Sequence, residues 1–572
     1  MIDMKRFIIA TAVAALIGSS GFVSQAQNVE RKDADFVTEY LQPTRIVWET
    51  GVENSSALLR PYAGQAALQE RNVMVMKKGS AVLVDFGKEI QGRVQIVRSL
   101  SGGGPINVRV RMGESVAEAM SDVHAEGSTA TNDHAMRDLH IEVPSLGVAE
   151  TNRSGFRFAR IDVEDDVVLN VVALRAVSEY RDLPYLGTFN CSDDRLNQIW
   201  KTGAYTVQLN MQEYVWDGIK RDRLVWIGDM HPEVTTITTV FGEQPVVKKS
   251  LDFIRDITPA DQWMNGYITY SMWWLLIQRD HYRYTGNLEY LKEQHDYISK
   301  LLDHIMENID GNKEAFKGGV RFVDWPTADK RDVIHAGMQS VALMSMEAGA
   351  EIARLLGDKQ MESKCAETAS RLKTYTPDSK GNKQAASLLS LSGLMDPQAC
   401  ADIIMKDGPN GFSTFFGYYM LEALAKAGKY EEAMDIMSKY WGAMLDLGAT
   451  TFWEDLEYSQ VAKASRIDEL VPEGAYDMHG DGGAYCYVGY RHSYCHGWAS
   501  GPTSWLSHHV LGVYPVEPGY KTVRIEPHLG NLSWAEGTVA TPYGQIKVSH
   551  KKGADGKVAT TVELPKGVKR VK

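Results

Sequence analysis

Residues 216–233 read WDGIKRDRLVWIGDMHPE, and the rest of the chain is best understood outward from them. Acidic and basic side chains stand here beside two indoles, on a backbone that Gly218, Gly228 and Pro232 interrupt. This mixture suits a polar pocket with an aromatic wall better than a core, because buried charges are costly unless they are paired. Sugars bind to such surfaces, with aromatic faces on their C–H groups and charged groups on their hydroxyls. The alternative is a capped helix start with surface ion pairs.

Composition describes a large, folded, acidic protein. The chain has 572 residues, of which 44% are hydrophobic and 23% charged, and its formal net charge is −12. That length suggests roughly three or four domains. The negative charge argues against nucleic-acid and anionic-membrane partners, since both require a basic face. The five cysteines are odd in number and contain no CxxC motif, which predicts buried free thiols; a pair of Cys486 with Cys495 is the alternative.

The first residues have the pattern of an export signal. Lys5 and Arg6 precede an apolar run, residues 7–17, and Ser24-Gln25-Ala26 supplies a small-x-small cleavage site. The run is too short to span a bilayer. We therefore expect residues 1–26 to be a cleaved signal peptide, and the mature protein to be periplasmic or secreted without membrane insertion.

Residues 28–184 are rich in strand patterns. Residues 81–86 and 92–97 alternate between apolar and polar side chains, or nearly so, and a Gly-Gly-Gly-Pro turn at 102–105 precedes residues 106–110 with period-two patterning. Short strands with glycine turns predict an N-terminal β-sandwich.

The periodicity changes to helical over residues 185–513. Gly286, Gly357 and Gly428 each follow an amphipathic run and precede another, as helix-ending glycines do. Serial helical hairpins predict an α/α toroid, and residues 514–572 return to strands as a small β domain. The predicted fold class is therefore multidomain α+β, with a central toroid between two β domains.

Four loop-like stretches in the helical region each join an indole to an ionisable group. No phosphate loop, Rossmann fingerprint, HExxH motif or GxSxG elbow is present. Glycoside cleavage requires a carboxylic acid for the departing oxygen and a second carboxylate, and Asp222 and Glu454 could supply this pair from separate loops. The stretches are residues 216–233, 322–326 (FVDWP), 449–455 (ATTFWED) and 494–502 (YCHGWASGP).

Over nearly its whole mature length the chain resembles the α-L-rhamnosidases of glycoside hydrolase family 78. Residues 217–229 are similar to the family's D-C-P-x-R-[DE]-R-x-x-W-x-G-D motif, and Asp324-Trp325 to its Gly-Asp-Trp segment. Residues 449–454 look like its A-T-T-x-W-E segment, and His496 like the histidine of its late segment.

The resemblance implies an inverting hydrolase on an (α/α)6 barrel that removes terminal α-L-rhamnose, or a related deoxysugar, from a polysaccharide or glycoconjugate. Asp222 falls at the general-acid position and Glu454 at the general-base position. No cofactor and no metal are implied, and the oligomeric state is left open. The substrate-binding positions that the resemblance implies are Asp217, Arg221, Trp226, Asp229, Asp324, Trp325, Trp453 and His496.

Two departures from the family pattern bear on the substrate. The family's acid is usually glutamate, whereas Asp222 is one methylene shorter, and proton delivery depends on reach. Gly218-Ile219 also replaces Cys-Pro. Three alternatives follow: the same machinery acting on another sugar, a polysaccharide lyase, and a non-catalytic glycan-binding relative. A lyase would draw its base from Tyr485, Tyr487, Tyr490 and Tyr494 beside His496.

Overall fold

The computed structural model describes residues 30–31, 36–62, 64–101, 103–123, 137–481 and 489–571. The predicted signal peptide and Cys486 lie outside these ranges. Across the described residues, no helix is both long and apolar enough to cross a membrane. The other cysteines are free, buried thiols: Cys191, Cys365, Cys400 and Cys495.

The N-terminal domain is organised around one long strand, Ala81–Arg98, which pairs antiparallel on both edges. The runs 81–86 and 92–97, predicted as separate strands, are parts of it, because Gly87 accommodates a left-handed bulge (φ 84°) and not a turn. Val82 and Val84 face one apolar cluster, while Leu83 packs on the other side against helix α1, Val116–Met120. All ten strands belong to one hydrogen-bonded sheet. They are Glu30–Arg31, Phe36–Leu41, Arg45–Thr50, Met74–Met76, Ala81–Arg98, Ile106–Gly113, Arg137–Val143, Gly147–Glu150, Ser154–Val163 and Leu169–Arg181.

Six helices form the inner ring of the central domain. Each contacts the next, and the last contacts the first, so that the ring closes. Inner helices are apolar or small on nearly every side, as expected for helices surrounded by protein; every residue of Met230–Phe241 is buried. The inner helices are α3 (Met230–Phe241), α5 (Ile268–Thr285), α8 (Arg331–Leu356), α10 (Lys383–Leu391), α12 (Thr414–Lys426) and α14 (Gly501–Trp505), which continues as a π-helical turn over Leu506–Val510.

The outer layer alternates with the inner ring along the chain. Its helices are amphipathic: in Pro245–Ile257, the buried Val247, Leu251 and Ile254 recur at helical spacing. Gly286 and Gly357 end helices with φ of 69° and 79°, as predicted. The (α/α)6 architecture is therefore confirmed. The outer helices are α2 (Asp194–Asn210), α4 (Pro245–Ile257), α6 (Leu288–Glu293) with α7 (His295–Glu307), α9 (Lys359–Leu372), α11 (Pro397–Met405) and α13 (Tyr430–Asp446).

The C-terminal β domain is tied to the start of the barrel. Although residues 185–513 are predicted to be helical, Thr188–Cys191 is a strand that pairs antiparallel with Trp534–Thr541. The chain thus crosses the C-terminal sheet before it enters α2. Two sheets make up this region: Thr188–Cys191, Trp534–Thr541, Gly544–Lys552 and Val558–Glu563 form one, and Val513–Pro515, Thr522–Ile525 and Lys569–Arg570 the other.

Candidate active site

A cavity of about 190 Å³ lies where the loops that precede the inner helices meet. Asp229 directly precedes α3, Tyr267 directly precedes α5, and Trp498 lies just before α14. The partial positive charge of these helix N-termini favours acidic and hydroxyl-rich groups at this end of the barrel. The lining residues are Asp217, Arg221, Asp222, Trp226, Asp229, Tyr267, Tyr270, Phe322, Trp325, Glu454, Arg491, His496 and Trp498.

Asp222 sits on a turn whose backbone is strained. Asp222 and Arg223 have φ of 57° and 56°, in the left-handed region that side chains other than glycine rarely adopt. Asp217 closes this Asp222 turn (residues 217–224): its Oδ1 accepts the N–H of Leu224 at 2.9 Å, and its own N–H donates to the Leu224 carbonyl at 3.1 Å. Such conformations cost about 1–3 kcal/mol and persist only where the surroundings enforce them, often at functional sites.

The side chain of Asp222 is partly exposed at the cavity. It is 20% exposed, and its Oδ2 accepts the indole N–H of Trp226 at 3.3 Å. Arg221 Nε lies 3.7 Å from Asp222 Oδ1. The carboxyl group therefore lies at the cavity, beside the indole N–H of Trp226 and the guanidinium of Arg221.

Glu454 is buried on the same cavity and is fixed at both oxygens. Its Oε1 accepts from Arg221 Nη2, and its Oε2 accepts the backbone N–H of Ser493 at 3.1 Å. One guanidinium thus contacts both candidate catalytic carboxyl groups, which places Asp222 and Glu454 within reach of a single bound ring.

Asp229 and His496 form a buried hydrogen-bonded pair at the cavity floor. His496 Nε2 lies 3.0 Å from Asp229 Oδ2, and the Tyr270 hydroxyl donates to Asp229 Oδ1 at 3.3 Å. Burial lowers the pKa of His496 to about 4 and raises the pKa of Asp229 well above its usual value. Both shifts favour the uncharged forms of the two groups, and Asp229 does not use its side chain to cap α3.

Asp217 is similarly affected by its surroundings. Burial, together with Asp222 and Asp229, raises the pKa of Asp217 well above its usual value. In the protonated form that these shifts favour, the carboxyl group of Asp217 or Asp229 can donate one hydrogen bond and accept others, which suits sugar hydroxyl groups.

Aromatic rings form one side of the cavity. Trp226 packs edge-on against Tyr267 and Tyr270, whose rings stack on each other at 4.9 Å. Gly228 makes this possible, because a Cβ there would lie 2.2 Å from the Tyr270 ring. Trp325 packs edge-on against Phe322.

Two predicted substrate-binding residues lie behind the cavity wall. Asp324 accepts hydrogen bonds from the Trp325 N–H at 2.9 Å and the Ser413 hydroxyl at 2.6 Å, and burial raises its pKa to about 6. The indole of Trp453 is fully buried and stacks on Tyr494 at 4.1 Å. Neither side chain is among those that line the cavity, and a substrate-binding role for Asp324 and Trp453 stays a prediction.

The sequence reasoning missed several lining residues. Tyr267 and Tyr270 stand in residues 263–270, WMNGYITY, which is a further aromatic loop before an inner helix and could have been found by that pattern. Arg491 has no comparable signal. Its guanidinium lines the cavity, its buried Nε has no hydrogen-bond partner, and within the described residues no acid pairs with it.

The residues that a lyase would need are arranged otherwise. The Tyr490 hydroxyl donates to Asp477 at 3.1 Å, and Tyr494 is buried between Trp453 and His479. Tyr485 and Tyr487 lie outside the described residues. Neither described tyrosine lines the cavity.

Comparison with known families finds two domains in the chain. Residues 184–391 match the bacterial α-L-rhamnosidase six-hairpin glycosidase domain, and residues 512–571 match the bacterial α-L-rhamnosidase C-terminal domain.

The individual relatives have low sequence identity to this chain and are longer than it. An α-L-rhamnosidase of Alteromonas sp. (strain LOR) is 24% identical over 574 residues, covering 89% of this chain and 58% of that protein. An α-L-rhamnosidase of Formosa agariphila is 24% identical over 427 residues, covering 66% of this chain and 42% of that protein. The chain thus spans about half the length of these relatives.

Solved structures share the fold. The family 78 rhamnosidase of Bacillus sp. GL1 superposes with a TM-score of 0.71 at 20% identity, over 88% of this chain and 54% of that one. A rhamnosidase of Klebsiella oxytoca with rhamnose bound superposes with a TM-score of 0.66 at 18% identity, over 82% of this chain and 95% of that one.

Proposed function

Since two of its domains match those of bacterial α-L-rhamnosidases, we propose that the chain is an α-L-rhamnosidase of the glycoside hydrolase family 78 type, which hydrolyses the bond to a terminal α-L-rhamnose, or a related deoxysugar, with inversion. The observation that carries the proposal is that Asp222 and Glu454, from loops 232 residues apart, face one cavity and share Arg221. Hydrolysis of this kind requires two carboxyl groups on opposite sides of one bond.

Asp222 is the proposed general acid. It is the more exposed of the two, and the flexible reach of an exposed carboxyl suits proton delivery to a departing oxygen at the cavity mouth. Glu454 is the proposed general base, because its hydrogen bonds from Arg221 and Ser493 hold its carboxyl group in a fixed orientation on the cavity. A water between Glu454 and the anomeric carbon then attacks from the face opposite the leaving group, and inverting pairs leave roughly 6.5–9.5 Å for it.

The cavity supports a single terminal sugar. Its volume of about 190 Å³ is below the roughly 300–1,000 Å³ of pockets for drug-sized ligands. The hydroxyl groups of the ring can bond Asp217, Asp229 and Arg491, while Trp226 and Trp325 provide apolar surface for a methyl substituent and ring C–H groups. These features support a deoxysugar at the end of a polysaccharide or glycoconjugate.

Export is proposed from the sequence alone. The basic residues, apolar run and cleavage pattern of residues 1–26 support a periplasmic or secreted location, where such glycans are met.

The deciding experiment is a panel of aryl glycosides followed by proton NMR. We expect nitrophenol release from the α-L-rhamnoside, with the β-anomer of the sugar appearing first and mutarotating afterwards. First appearance of the α-anomer would contradict inversion, and release from another glycoside alone would reassign the sugar. New ultraviolet absorbance from an unsaturated uronate would indicate a lyase, and glycan binding without turnover a non-catalytic relative.

A further inference from the structure

Lys220, within the Asp222 turn, is a fully buried lysine with an unusual number of partners. Its Nζ lies 3.0 Å from Glu118 Oε1 and 3.1 Å from Glu114 Oε2. It also donates to the backbone carbonyls of Tyr490, at 3.0 Å, and His492, at 3.2 Å. The ammonium group is thus surrounded by four oxygens and has no contact with solvent.

The acids around Lys220 belong to a group that resembles a cation site. Ligand atoms of Glu114, Glu118 and His479 lie within 4.8 Å of one another. However, His479 Nε2 is 2.9 Å from the His492 carbonyl and must donate its proton there, while Nδ1 accepts from the Ser115 hydroxyl at 2.7 Å. Both imidazole nitrogens are therefore in use, and Lys220 is the cation of this cluster.

The charge on Lys220 is maintained by these acids. Burial alone would lower the pKa of Lys220, but Glu118 and Glu114 outweigh burial and raise it above its usual value. Burial raises the pKa of Glu118 to about 7 in spite of the neighbouring ammonium. Lys220 therefore stays protonated near neutral pH.

The two glutamates come from the N-terminal domain, outside the barrel. Glu114 directly follows the strand Ile106–Gly113, and Glu118 lies on α1. The same domain also holds the backbone beneath the Asp222 turn: Arg137 donates to the Lys220 carbonyl at 3.0 Å, and the Gly155 N–H donates to the Ile219 carbonyl at 3.0 Å. A Cβ at Gly155 would lie 2.7 Å from the Ile219 side chain, so this approach requires glycine.

Lys220 also connects to the loop that orients Glu454. Its ammonium binds the carbonyls on either side of Arg491, and the next residue along, Ser493, donates its N–H to Glu454 Oε2. On its own turn, Lys220 is followed by Arg221, which bonds Glu454, and by Asp222 in its left-handed conformation. One buried cation therefore joins the supports of both carboxyl groups.

We propose that Lys220 is a positioning residue. Held by Glu114 and Glu118 of the N-terminal domain, it fixes the strained Asp222 turn relative to the loop of residues 490–493, which orients Glu454 for catalysis. The kinetic consequence rests on the proposed function, whereas the anchoring of the turn does not. Without this cation, the turn loses its side-chain anchor to the N-terminal domain and keeps only the hydrogen bonds of Asp217, Arg137 and Gly155, so we expect the left-handed backbone at Asp222 and Arg223 to relax.

The test uses the double variant Glu118→Gln/Lys220→Met in the full-length protein. Removing one carboxylate with the ammonium leaves the formal charge of the buried cluster unchanged, which favours folding. Lys383→Met is the matched control, because Lys383 is also a buried lysine of the barrel, but its ammonium donates to the Gly408 carbonyl and lies over the Phe412 ring, and it forms no salt bridge with an acid among the described residues. Three quantities are compared: kcat and KM on an aryl α-L-rhamnoside, the Kd of L-rhamnose, and hydrogen exchange at the Asp217 and Leu224 amides.

We expect kcat to fall at least 100-fold in the double variant, with KM and the rhamnose Kd within about threefold, and the two amides to exchange at least tenfold faster. Lys383→Met should change none of these beyond about twofold. A lowered melting temperature with normal kcat and amide protection would overturn the proposal, because it would reduce Lys220 to a general stabilising residue. If the double variant does not fold, Glu118→Gln alone must show the same direction of change in both kcat and exchange, and an unchanged result there also overturns it.

Failure of the proposed function would look different. If the wild-type protein shows no glycosidase activity, the rhamnosidase assignment is refuted. If the Asp217 and Leu224 amides still exchange faster in the double variant but not in Lys383→Met, the anchoring role of Lys220 is retained.

Discussion

At the scale of single residues, the candidate site depends on the backbone conformation that places each side chain at the cavity. Asp222 has a side chain one methylene shorter than glutamate, and it stands on a left-handed backbone with φ of 57°. Asp222, Glu454, Asp217, Asp229 and His496 could be identified from the sequence because their motifs are local. Arg491 could not, since its place on the cavity is created by chain packing alone.

The roles of Asp222 and Glu454 can be told apart by comparing the rates on substrates whose leaving groups differ in their need for a proton. We expect Asp222→Asn and Glu454→Gln each to lower kcat on a nitrophenyl α-L-rhamnoside by about 10²–10⁴-fold, the usual contribution of acid–base catalysis. A dinitrophenyl leaving group needs no proton, so it should restore much of the rate for Asp222→Asn and little for Glu454→Gln. Unchanged circular dichroism would show that both variants fold. Full activity in either variant would remove that residue from the mechanism.

Arg491 is expected to act in substrate binding. Its guanidinium lines the cavity and is not used by an acid among the described residues. A hydrogen bond to a charged group contributes about 1.5–3 kcal/mol, so Arg491→Met should lower kcat/KM by roughly 10–100-fold, mainly through KM. The exposed Arg354 provides the control, Arg354→Met, with no change expected. Equal kinetics in both variants would place Arg491 outside the substrate contacts.

At the scale of helices and strands, glycines that follow an amphipathic run predicted the ends of helices correctly, because the left-handed conformation found there favours glycine. Gly286 and Gly357 end helices in the left-handed conformation, as predicted. At Gly87, by contrast, a left-handed conformation belongs to a bulge inside a continuous strand. Thr188–Cys191 gave no signal, since four residues are too few for a pattern and their partner strand is more than 340 residues away.

The aromatic wall depends on a glycine in the loop before α3. A Cβ at Gly228 would lie 2.2–2.6 Å from three atoms of the Tyr270 ring, so Gly228→Ala must displace that ring from Asp229 and Trp226. We expect kcat/KM to fall at least tenfold, with a change in tryptophan fluorescence. Gly104→Ala is the control, because nothing lies within 4 Å of its Cβ position. Normal kinetics for Gly228→Ala would show that the wall can shift without consequence.

Asp324, which begins the short helical turn Trp325–Thr327, should make stability depend on pH. Its pKa is raised to about 6 by burial, so between about pH 4 and 6 the unfolded carboxyl ionises while the folded one keeps its proton. The folded state of the wild type therefore loses relative stability as the pH rises through this window, by about 2–3 kcal/mol at most. Asp324→Asn lacks this loss.

We expect the melting temperature of Asp324→Asn, relative to wild type, to be higher at pH 7 than at pH 4.5, as measured by calorimetry. The absolute stability of the variant can lie on either side of the wild type. A difference that is constant across this pH range would mean that Asp324 titrates normally in the folded protein.

At the scale of the whole molecule, the order β domain, toroid, β domain follows from the change of periodicity along the chain. The closure of six inner helices, and the reach of the N-terminal domain into the base of the Asp222 turn, do not. Those contacts join residues far apart in sequence, such as Glu118 with Lys220, and no local pattern encodes them.

The C-terminal sheet is expected to be indispensable for a soluble barrel. Ending the chain after Gly512 would leave Thr188–Cys191 without its partner and uncover apolar side chains such as Phe189 and Leu511. An unpaired strand edge beside apolar surface promotes aggregation. We expect this truncation to elute as aggregate in size-exclusion chromatography, whereas ending the chain after Leu564, which keeps all four strands of that sheet, should leave a monodisperse peak. A monodisperse, active shorter chain would contradict this.

The pairing of Thr188–Cys191 with Trp534–Thr541 also constrains biosynthesis. On the ribosome, the first strand of this pair emerges long before the second, and ring closure likewise waits for α14. Formation of such distant contacts is slow, so the nascent chain remains open until synthesis is nearly complete. A polypeptide whose barrel and C-terminal sheet form only late in synthesis stays unfolded in these regions until then, and an unfolded chain is what a translocation channel accepts.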